Sequence, residues 1–206
     1  LMPSRRLPRQ VDLNQLLLEH MAQYCAWRAR EFGVAEIDVG ELENMTLVNL
    51  ERGFGIIPKY LRLPIGRAAI CDNRMAPEHW LADDGRILKL DAALHGDDHF
   101  FPGPCDIAWD LAGVIVEWEL DSPAREFFLT KYQSSSGDYV TSRIEGYGLA
   151  YAMFRLAWSK TAAASVADAE EGARLLRDYR RYRRVVEDCM MRMSVDASSA
   201  VSEALP

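Results

Sequence analysis

The stretch from residue 70 to residue 120 reads ICDNRMAPEHWLADDGRILKLDAALHGDDHFFPGPCDIAWDLAGVIVEWEL, and it determines how the rest of the chain is interpreted. Its acidic residues far outnumber its basic ones, and they occur together with three of the four histidines, His79, His95 and His99. Carboxylates that lie close together repel one another, so a fold that gathers them usually satisfies them with backbone N–H groups or with a cation. The stretch therefore predicts a hydrogen-bonded acidic cluster or a metal site.

A β-hairpin is predicted in the first half of this stretch. Two segments, residues 80–82 and 86–90, flank the sequence Asp-Asp-Gly, in which glycine can adopt the left-handed conformation that closes a tight turn. The second strand would then end at Asp91, and a carboxylate at a strand end projects into whatever cleft lies beyond the sheet edge. We therefore interpret Asp91 as a functional residue.

A buried helix is predicted in the second half. A long loop of residues 92–105 carries two glycines and two prolines, and loops of this length usually have a function. Asp106 follows the loop and is a favourable N-cap residue. The next twelve residues, 107–118, are apolar on nearly every helical face, which is typical of a central helix rather than a surface helix.

The order of these features resembles the C-terminal lobe of the aminoglycoside phosphotransferase and choline kinase group, within the protein-kinase-like superfamily. That group has the pattern His-Gly-Asp-x-x-x-x-Asn, a hairpin, Ile-Asp-Phe/Trp and then Asp-Leu-Ala. The Asp-Gly hairpin, Leu90-Asp91 and Asp106-Ile107-Ala108 match it here. The resemblance implies a mostly helical α+β fold, small-molecule phosphoryl transfer, and the use of ATP with a divalent metal, Mg²⁺ or Mn²⁺. It also implies a structural role for Asp106, which would tie the catalytic loop to the buried helix.

The catalytic loop departs from the pattern of that group. Without a gap, Arg74 occupies the position of the catalytic base, and with one inserted residue Asn73 occupies it. Asp72 is then the nearest carboxylate that could act as the base. His79 stands where the group has a metal-binding Asn, and because imidazole is a poorer ligand for Mg²⁺ than for Mn²⁺, the substitution favours Mn²⁺.

The resemblance and the acidic cluster together define a candidate metal site. Its predicted ligands are Asp91, His79, Asp97 and Asp98. The sequence His-Gly-Asp-Asp-His at residues 95–99 is equally compatible with a metal cluster and with a loop held together by hydrogen bonds. The candidate catalytic residues are Asp72 and Asp91.

Length and composition limit the class of protein. With 206 residues and 49% hydrophobic content, the chain can bury one sizeable core. No run of apolar residues is long enough for a membrane span, and residues 1–10 lack the hydrophobic core of a secretion signal, so we expect a cytosolic protein. The spacing of the four cysteines matches neither a disulfide framework nor a zinc site. The net charge of −7 makes nucleic acid an improbable partner.

The chain order predicts a flexible basic arm at residues 1–10, a single kinase-like domain at residues 11–193 and a flexible tail at residues 194–206. Asp12 is expected to cap a first helix that ends near Gly33, and a second helix is expected to stop at Gly53. A third begins at residue 122 and precedes a serine-rich loop at residues 133–137. The last helix, residues 167–193, carries an arginine stripe composed of Arg174, Arg177, Arg181 and Arg184, with Arg180 and Arg183 beside it. This stripe is either a solvated face or a surface for an anionic substrate or partner.

Three functions are compatible with these observations. The first is a divergent small-molecule phosphotransferase, either active or catalytically impaired by the altered loop. The second is a non-catalytic binding or regulatory module on a kinase-like fold, with a small-molecule or phosphorylated ligand. The third is a metal-dependent phosphohydrolase that uses the Asp/His cluster. Because no convincing phosphate-binding loop precedes the catalytic loop, we expect nucleotide binding to be weak.

Overall fold

The computed structural model describes residues 9–10, 12–56, 61–83, 86–90 and 103–203. Within those ranges the chain divides into two compact units, one from Leu1–Ile37 and Ile65–Thr141 and the other from Asp38–Pro64 and Ser142–Pro206. Most of the described residues are helical, and the strands form two small antiparallel sheets. The predicted fold class, mostly helical α+β, is confirmed.

The first unit begins with helix α1, Gln15–Glu31. The side-chain oxygen of Asn14 accepts a hydrogen bond from the Leu17 N–H at 3.0 Å, which satisfies one of the free donors in the first turn. The prediction that Asp12 caps this helix is therefore wrong. Asp12 lies two residues too early for its carboxylate to cap this turn, and its carbonyl instead accepts a hydrogen bond from the Asn14 amide.

The predicted hairpin is present in the described residues. Strand β3, Trp80–Asp83, pairs antiparallel with strand β4, Arg86–Lys89, and Trp80 lies opposite Lys89. The two turn residues between the strands lie outside the described residues. Strand β1, Arg9–Gln10, pairs with the other edge of β3, although the sequence analysis assigned these residues to a flexible arm.

A second sheet leads into the candidate catalytic loop. Strand β2, Ala68–Ile70, pairs antiparallel with strand β5, Pro104–Asp106. The chain just after α1 extends this sheet, because the Ile70 N–H donates to the Phe32 carbonyl at 2.9 Å. The sheet therefore connects the end of α1 with two segments. One leads into the catalytic loop, and the other leads into the helix that begins at Ala108.

Helix α3, Ala108–Glu117, follows β5 and is almost entirely buried, as predicted. Helix α4, Ser122–Ser136, packs on α1. It continues through part of the serine-rich segment that was predicted to be a loop, and the Ser134 and Ser136 hydroxyls there donate to carbonyls one turn earlier, each at 2.8 Å. Gly137, in a left-handed conformation with φ 70°, then ends the helix.

The second unit contains three helices, α2 (Gly40–Phe54), α5 (Thr141–Ser165) and α6 (Ala169–Glu203). The left-handed Gly55 ends α2, two residues after the predicted stop. The backbone of α6 remains helical beyond residue 193, where the sequence analysis placed its end. None of the described helices combines the length and the hydropathy that a membrane-spanning segment requires.

Candidate functional site

The segment of residues 71–79 joins β2 to β3 and corresponds to the predicted catalytic loop. Its first part is held by Asp110, in the first turn of α3, whose carboxylate accepts hydrogen bonds from the Asp72 N–H at 2.7 Å and from the Asn73 N–H at 2.9 Å. Asn73 has a left-handed backbone with φ 68°, which is uncommon for a residue other than glycine and marks a constrained turn. Asp110 therefore ties the catalytic-loop segment to the buried helix.

The Asp106 carboxylate holds a second junction of the first unit. One of its carboxylate oxygens accepts the N–H groups of Gly66 and Arg67 at 2.6 and 2.9 Å, and the other accepts the Ala108 N–H at 2.8 Å. Asp106 thus joins the start of α3 to the segment before β2. Asp110, one turn later in the helix, accepts the backbone N–H groups of the catalytic-loop segment.

The Asp72 side chain is completely buried, with 0% exposure. The Lys89 Nζ donates to its Oδ1 at 3.1 Å, the Arg74 N–H donates to the same oxygen at 3.2 Å, and the Tyr24 hydroxyl donates to its Oδ2. The Lys89 side chain is only 5% exposed, and its Nζ also donates to the Leu90 carbonyl at 2.7 Å. Lys89 and Asp72 therefore form a buried salt bridge.

A second cation completes the site. Arg28 of α1 is buried, and its guanidinium donates to the Ile70 carbonyl at 3.1 Å and to the Cys71 carbonyl at 3.3 Å. We call Tyr24, Arg28, Asp72, Lys89 and Asp110 the Asp72 cluster. It contains two carboxylates and two cations, so the charges can compensate one another inside the protein.

Burial and mutual charge shift the ionisation of these groups. Burial, followed by the nearby charge of Asp72, raises the pKa of Asp110 to about 7. Burial lowers the pKa of Lys89, although the Asp72 carboxylate opposes that shift. Burial and the adjacent Asp72 also raise the pKa of the Tyr24 hydroxyl well above its usual range. Tyr24 is therefore a hydrogen-bond donor at neutral pH, which is the role that the geometry gives it.

Aromatic rings surround the salt bridge on the side of α1. Tyr24 and Trp80 meet edge to face with 5.5 Å between ring centroids, and the Lys89 Nζ lies 5.6 Å from the centroid of the Trp80 ring. His20 meets the same Trp80 ring edge-on at 6.3 Å. Such rings exclude water and strengthen the electrostatic interactions inside the cluster.

The described residues include two of the predicted site residues, and the structure places them differently. Asp72 lies inside the cluster, whereas His79 lies at the other end of the catalytic-loop segment, where its carbonyl accepts the Leu90 N–H at 2.8 Å. This bond brings the residue before Asp91 beside His79. Asp91 itself lies outside the described residues, as do Asp97 and Asp98.

The described carboxylates do not fit a metal site. The oxygens of Asp72, Asp106 and Asp110 already accept hydrogen bonds from N–H, O–H or ammonium donors, so that a cation would have to displace them. In the part of the chain that the structure describes, no group of three or more His, Cys, Asp and Glu side chains is placed to hold an ion. The predicted ligand set thus depends on residues beyond that part.

Sequence reasoning missed Tyr24, Arg28, Lys89 and Asp110 as members of the site. A signal existed for two of them, because Tyr24 and Arg28 are four residues apart and therefore project from the same side of a helix, and Arg28 is a charged residue among the apolar positions of that side. Lys89 gave a weaker signal as a lysine between the apolar residues Leu88 and Leu90. The role of Asp110 had no local signal, since its partners lie 37 and 38 residues away.

Comparison with known proteins identifies the fold. No family model matches the chain. Uncharacterized oxidoreductases of Mycobacterium bovis and Mycobacterium tuberculosis are 33% identical over 73 residues, which is 34% of this chain and 9% of theirs. The crystal structure of LicA in complex with AMP superposes with a TM-score of 0.50 at 17% identity and covers 85% of this chain. Choline kinase LicA from Streptococcus pneumoniae superposes with a TM-score of 0.48 at 16% identity over 84% of this chain.

The chain spans only part of these proteins. It corresponds to 61% of the LicA chain in the AMP complex and to 9% of the mycobacterial relatives. At 17% identity the likeness to LicA concerns the fold alone. The features that carried the resemblance, the hairpin and the buried helix that follows it, are present in the described structure. The chain therefore has a choline-kinase-like fold.

Proposed function

We propose that this chain is part of a divergent kinase-like protein that binds a small-molecule or phosphorylated ligand and in which Asp72 holds the fold together instead of accepting a substrate proton. The burial of the Asp72 carboxylate carries the proposal. A general base must come within hydrogen-bond distance of the proton that it removes. A carboxylate with 0% exposure, engaged by Tyr24 and Lys89, has no surface to offer a substrate.

The residue at the base position supports the same conclusion. In the alignment without a gap this residue is Arg74, and a guanidinium group cannot be deprotonated in proteins, so it cannot act as a base. With one inserted residue it is Asn73, whose amide is no better. We therefore expect phosphoryl transfer by this chain to be very slow, and its role to be binding or regulation.

A second candidate is a phosphotransferase that retains activity through Asp91. The hydrogen bond between the Leu90 N–H and the His79 carbonyl, at 2.8 Å, favours it, because it places the end of β4 next to the residue at the family's metal position. A divalent ion held between Asp91 and His79 would then be Mn²⁺ rather than Mg²⁺. Calorimetry with MnCl₂ tests this site, and equal heats from the wild-type protein and from Asp91→Ala would exclude it.

Turnover distinguishes the two candidates. The assay measures ADP formation from ATP with Mn²⁺ or Mg²⁺, with choline and other amino alcohols as acceptors. Under our proposal the rate equals that of a protein-free blank and is the same for the wild type and for Asp91→Ala. Acceptor-dependent ADP formation that Asp91→Ala abolishes would contradict the proposal and establish the second candidate.

The structural role of Asp72 has its own test. Asp72→Asn leaves the Lys89 ammonium buried without its counter-charge, so we expect a loss of about 3–5 kcal/mol in the free energy of unfolding. Glu78→Gln is the matched control, because Glu78 is an exposed carboxylate in the same segment, and it should change stability by less than about 0.5 kcal/mol. An Asp72→Asn variant that unfolds at the wild-type urea concentration would show that the cluster does not hold this segment.

Nucleotide binding is tested by thermal shift with ATP and Mn²⁺. A ligand present at about 100 times its Kd stabilises a folded protein by roughly 2.7 kcal/mol. We expect no such stabilisation from millimolar ATP. A clear rise in Tm would contradict this expectation, and its dependence on ATP concentration would then yield the affinity.

A further inference from the structure

Helix α6 carries a concentrated positive charge that the proposed function does not use. Six of the arginines lie between positions 174 and 184, and Asp178 is the single acidic residue in that interval. Arg177, Arg180 and Arg184 are separated by three and four residues, so they share one face of the helix, and all three are exposed. We call these three residues the outer arginine face.

This face points away from the buried side of the helix. Among the α6 side chains that the structure describes, Leu175, Tyr182, Val186 and Cys189 are buried. At 100° per residue they lie on the side opposite the outer arginine face. The three arginines are therefore accessible to solvent and to a binding partner.

The other arginines of the interval are engaged within the unit. Arg174 makes ion pairs with Glu171 at 2.6 Å and with Asp178 at 2.8 Å. Arg181, which the sequence analysis placed in the stripe, donates to the Tyr182 hydroxyl at 2.7 Å.

Arg183 pairs with Glu187 at 3.1 Å and lies over the Phe54 ring, 4.7 Å from its centroid. In contrast, no hydrogen bond or ion pair joins Arg177, Arg180 or Arg184 to any other residue that the structure describes. Like charges three and four residues apart destabilise a helix slightly, so this arrangement does not serve stability.

We propose that the outer arginine face binds an acidic helical segment of another protein. Arginine recognises carboxylates through paired N–H groups, and the distance from Arg177 to Arg184 along the helix is roughly 10.5 Å. A partner helix with acidic residues at i, i+3 and i+7 presents carboxylates at the same spacing. Charge complementarity thus specifies the sign of the partner's charge and the spacing of its acidic residues along the helix.

Two apolar side chains extend the surface. Met191 lies two turns beyond Arg184 on the same face and is 62% exposed, and Leu176 borders the face and is 46% exposed. Apolar contacts of this kind suit an amphipathic protein helix better than a phosphate backbone. An extended polyanion or an anionic membrane reaches beyond this face, where the net charge of −7 opposes its association, whereas a short acidic helix covers the face alone.

A designed peptide provides the probe. We would use a fluorescein-labelled 21-residue helical peptide with Glu at i, i+3 and i+7 and Leu beside them, and a second peptide of the same composition in which the Glu residues are spread around the helix. Fluorescence anisotropy with the full chain measures Kd. Arg177→Glu/Arg180→Glu/Arg184→Glu is the test variant. Arg30→Glu/Arg62→Glu/Lys160→Glu is the matched control, because these residues are exposed and the change in net charge is the same.

The proposal predicts that the patterned peptide binds more tightly than the scrambled one, that the test variant weakens its binding by about tenfold or more, and that the control variant changes it by less than about threefold. Equal weakening by both variants would reduce the effect to bulk charge and overturn the proposal. Tighter binding of a DNA duplex or of phosphatidylserine vesicles, or no binding of the patterned peptide, would overturn it as well. Sedimentation tests a further outcome. Self-association that the test variant removes and the control variant keeps would overturn the proposal, because the partner would then be a second copy of this chain.

Discussion

Replacement of Asp106 by Asn should loosen one specific junction in the first unit. The Asp106 carboxylate is buried and accepts three backbone N–H groups, two on Oδ2, from Gly66 and Arg67, and one on Oδ1, from Ala108. An Asn side chain has one oxygen and one NH₂ group. On one side of the junction the NH₂ donor must therefore face a backbone N–H, which is also a donor. The side chain should turn its oxygen toward Gly66 and Arg67, since that orientation keeps two hydrogen bonds.

The cost follows from these contacts. One buried N–H, that of Ala108, is left without an acceptor, at about 1–3 kcal/mol. The two remaining hydrogen bonds lose the negative charge of their acceptor, and charge-assisted bonds are roughly twice as strong as neutral ones. We therefore expect Asp106→Asn to lower the free energy of unfolding by about 2–4 kcal/mol, measured by urea denaturation.

Amide hydrogen exchange locates the effect. Asp106→Asn should accelerate exchange at Gly66, Arg67 and Ala108, and it should leave the amides of Asp72 and Asn73 protected. Asp110→Asn is the matched variant and should show the reverse pattern, because its carboxylate accepts the amides of Asp72 and Asn73. If Asp106→Asn exposes the amides of Asp72 and Asn73, or unfolds at the wild-type urea midpoint, the assignment of separate roles to the two carboxylates is refuted.

Three further measurements address the buried helix, the Asp72 cluster and pH. Leu111→Ala should lower the free energy of unfolding by about 2–5 kcal/mol, because Leu111 is fully buried, and a wild-type urea midpoint would contradict the burial of α3. Tyr24→Phe removes a donor to the buried Asp72 carboxylate and should cost about 1–3 kcal/mol in the same assay. The pKa of Asp110 is raised from 3.8 to about 7, so the native state binds more protons between these values, and the contribution of this group to stability should fall as the pH rises from 4 to 7. The stability of Asp110→Asn should not show this fall between pH 4 and pH 7. The same dependence of stability on pH in both proteins would show that Asp110 does not titrate in this range.

The sequence by itself determined the local elements and, through their order, the fold. The hairpin of residues 80–90 was predictable because an Asp-Gly turn between two short segments favours one local structure. The helix α3 was predictable because nearly continuous apolar residues after an N-cap can only be satisfied inside a core. Both are confirmed, together with the kinase-like fold that their order implied. The predicted ligand Asp91 and the acidic loop after it lie outside the described residues, so the metal site stays a prediction.

Only the tertiary structure decided which charged groups meet. Asp106 and Asp110 are one turn apart in sequence and equally plausible as anchors, but the position of β2 beside β5 assigns Gly66 and Arg67 to one and the catalytic-loop segment to the other. Tyr24 is separated from Asp72 by 48 residues, and no local pattern links them. Hydrogen bonds and salt bridges depend on distances of a few ångströms, and those distances arise only when α1, the hairpin and α3 pack together.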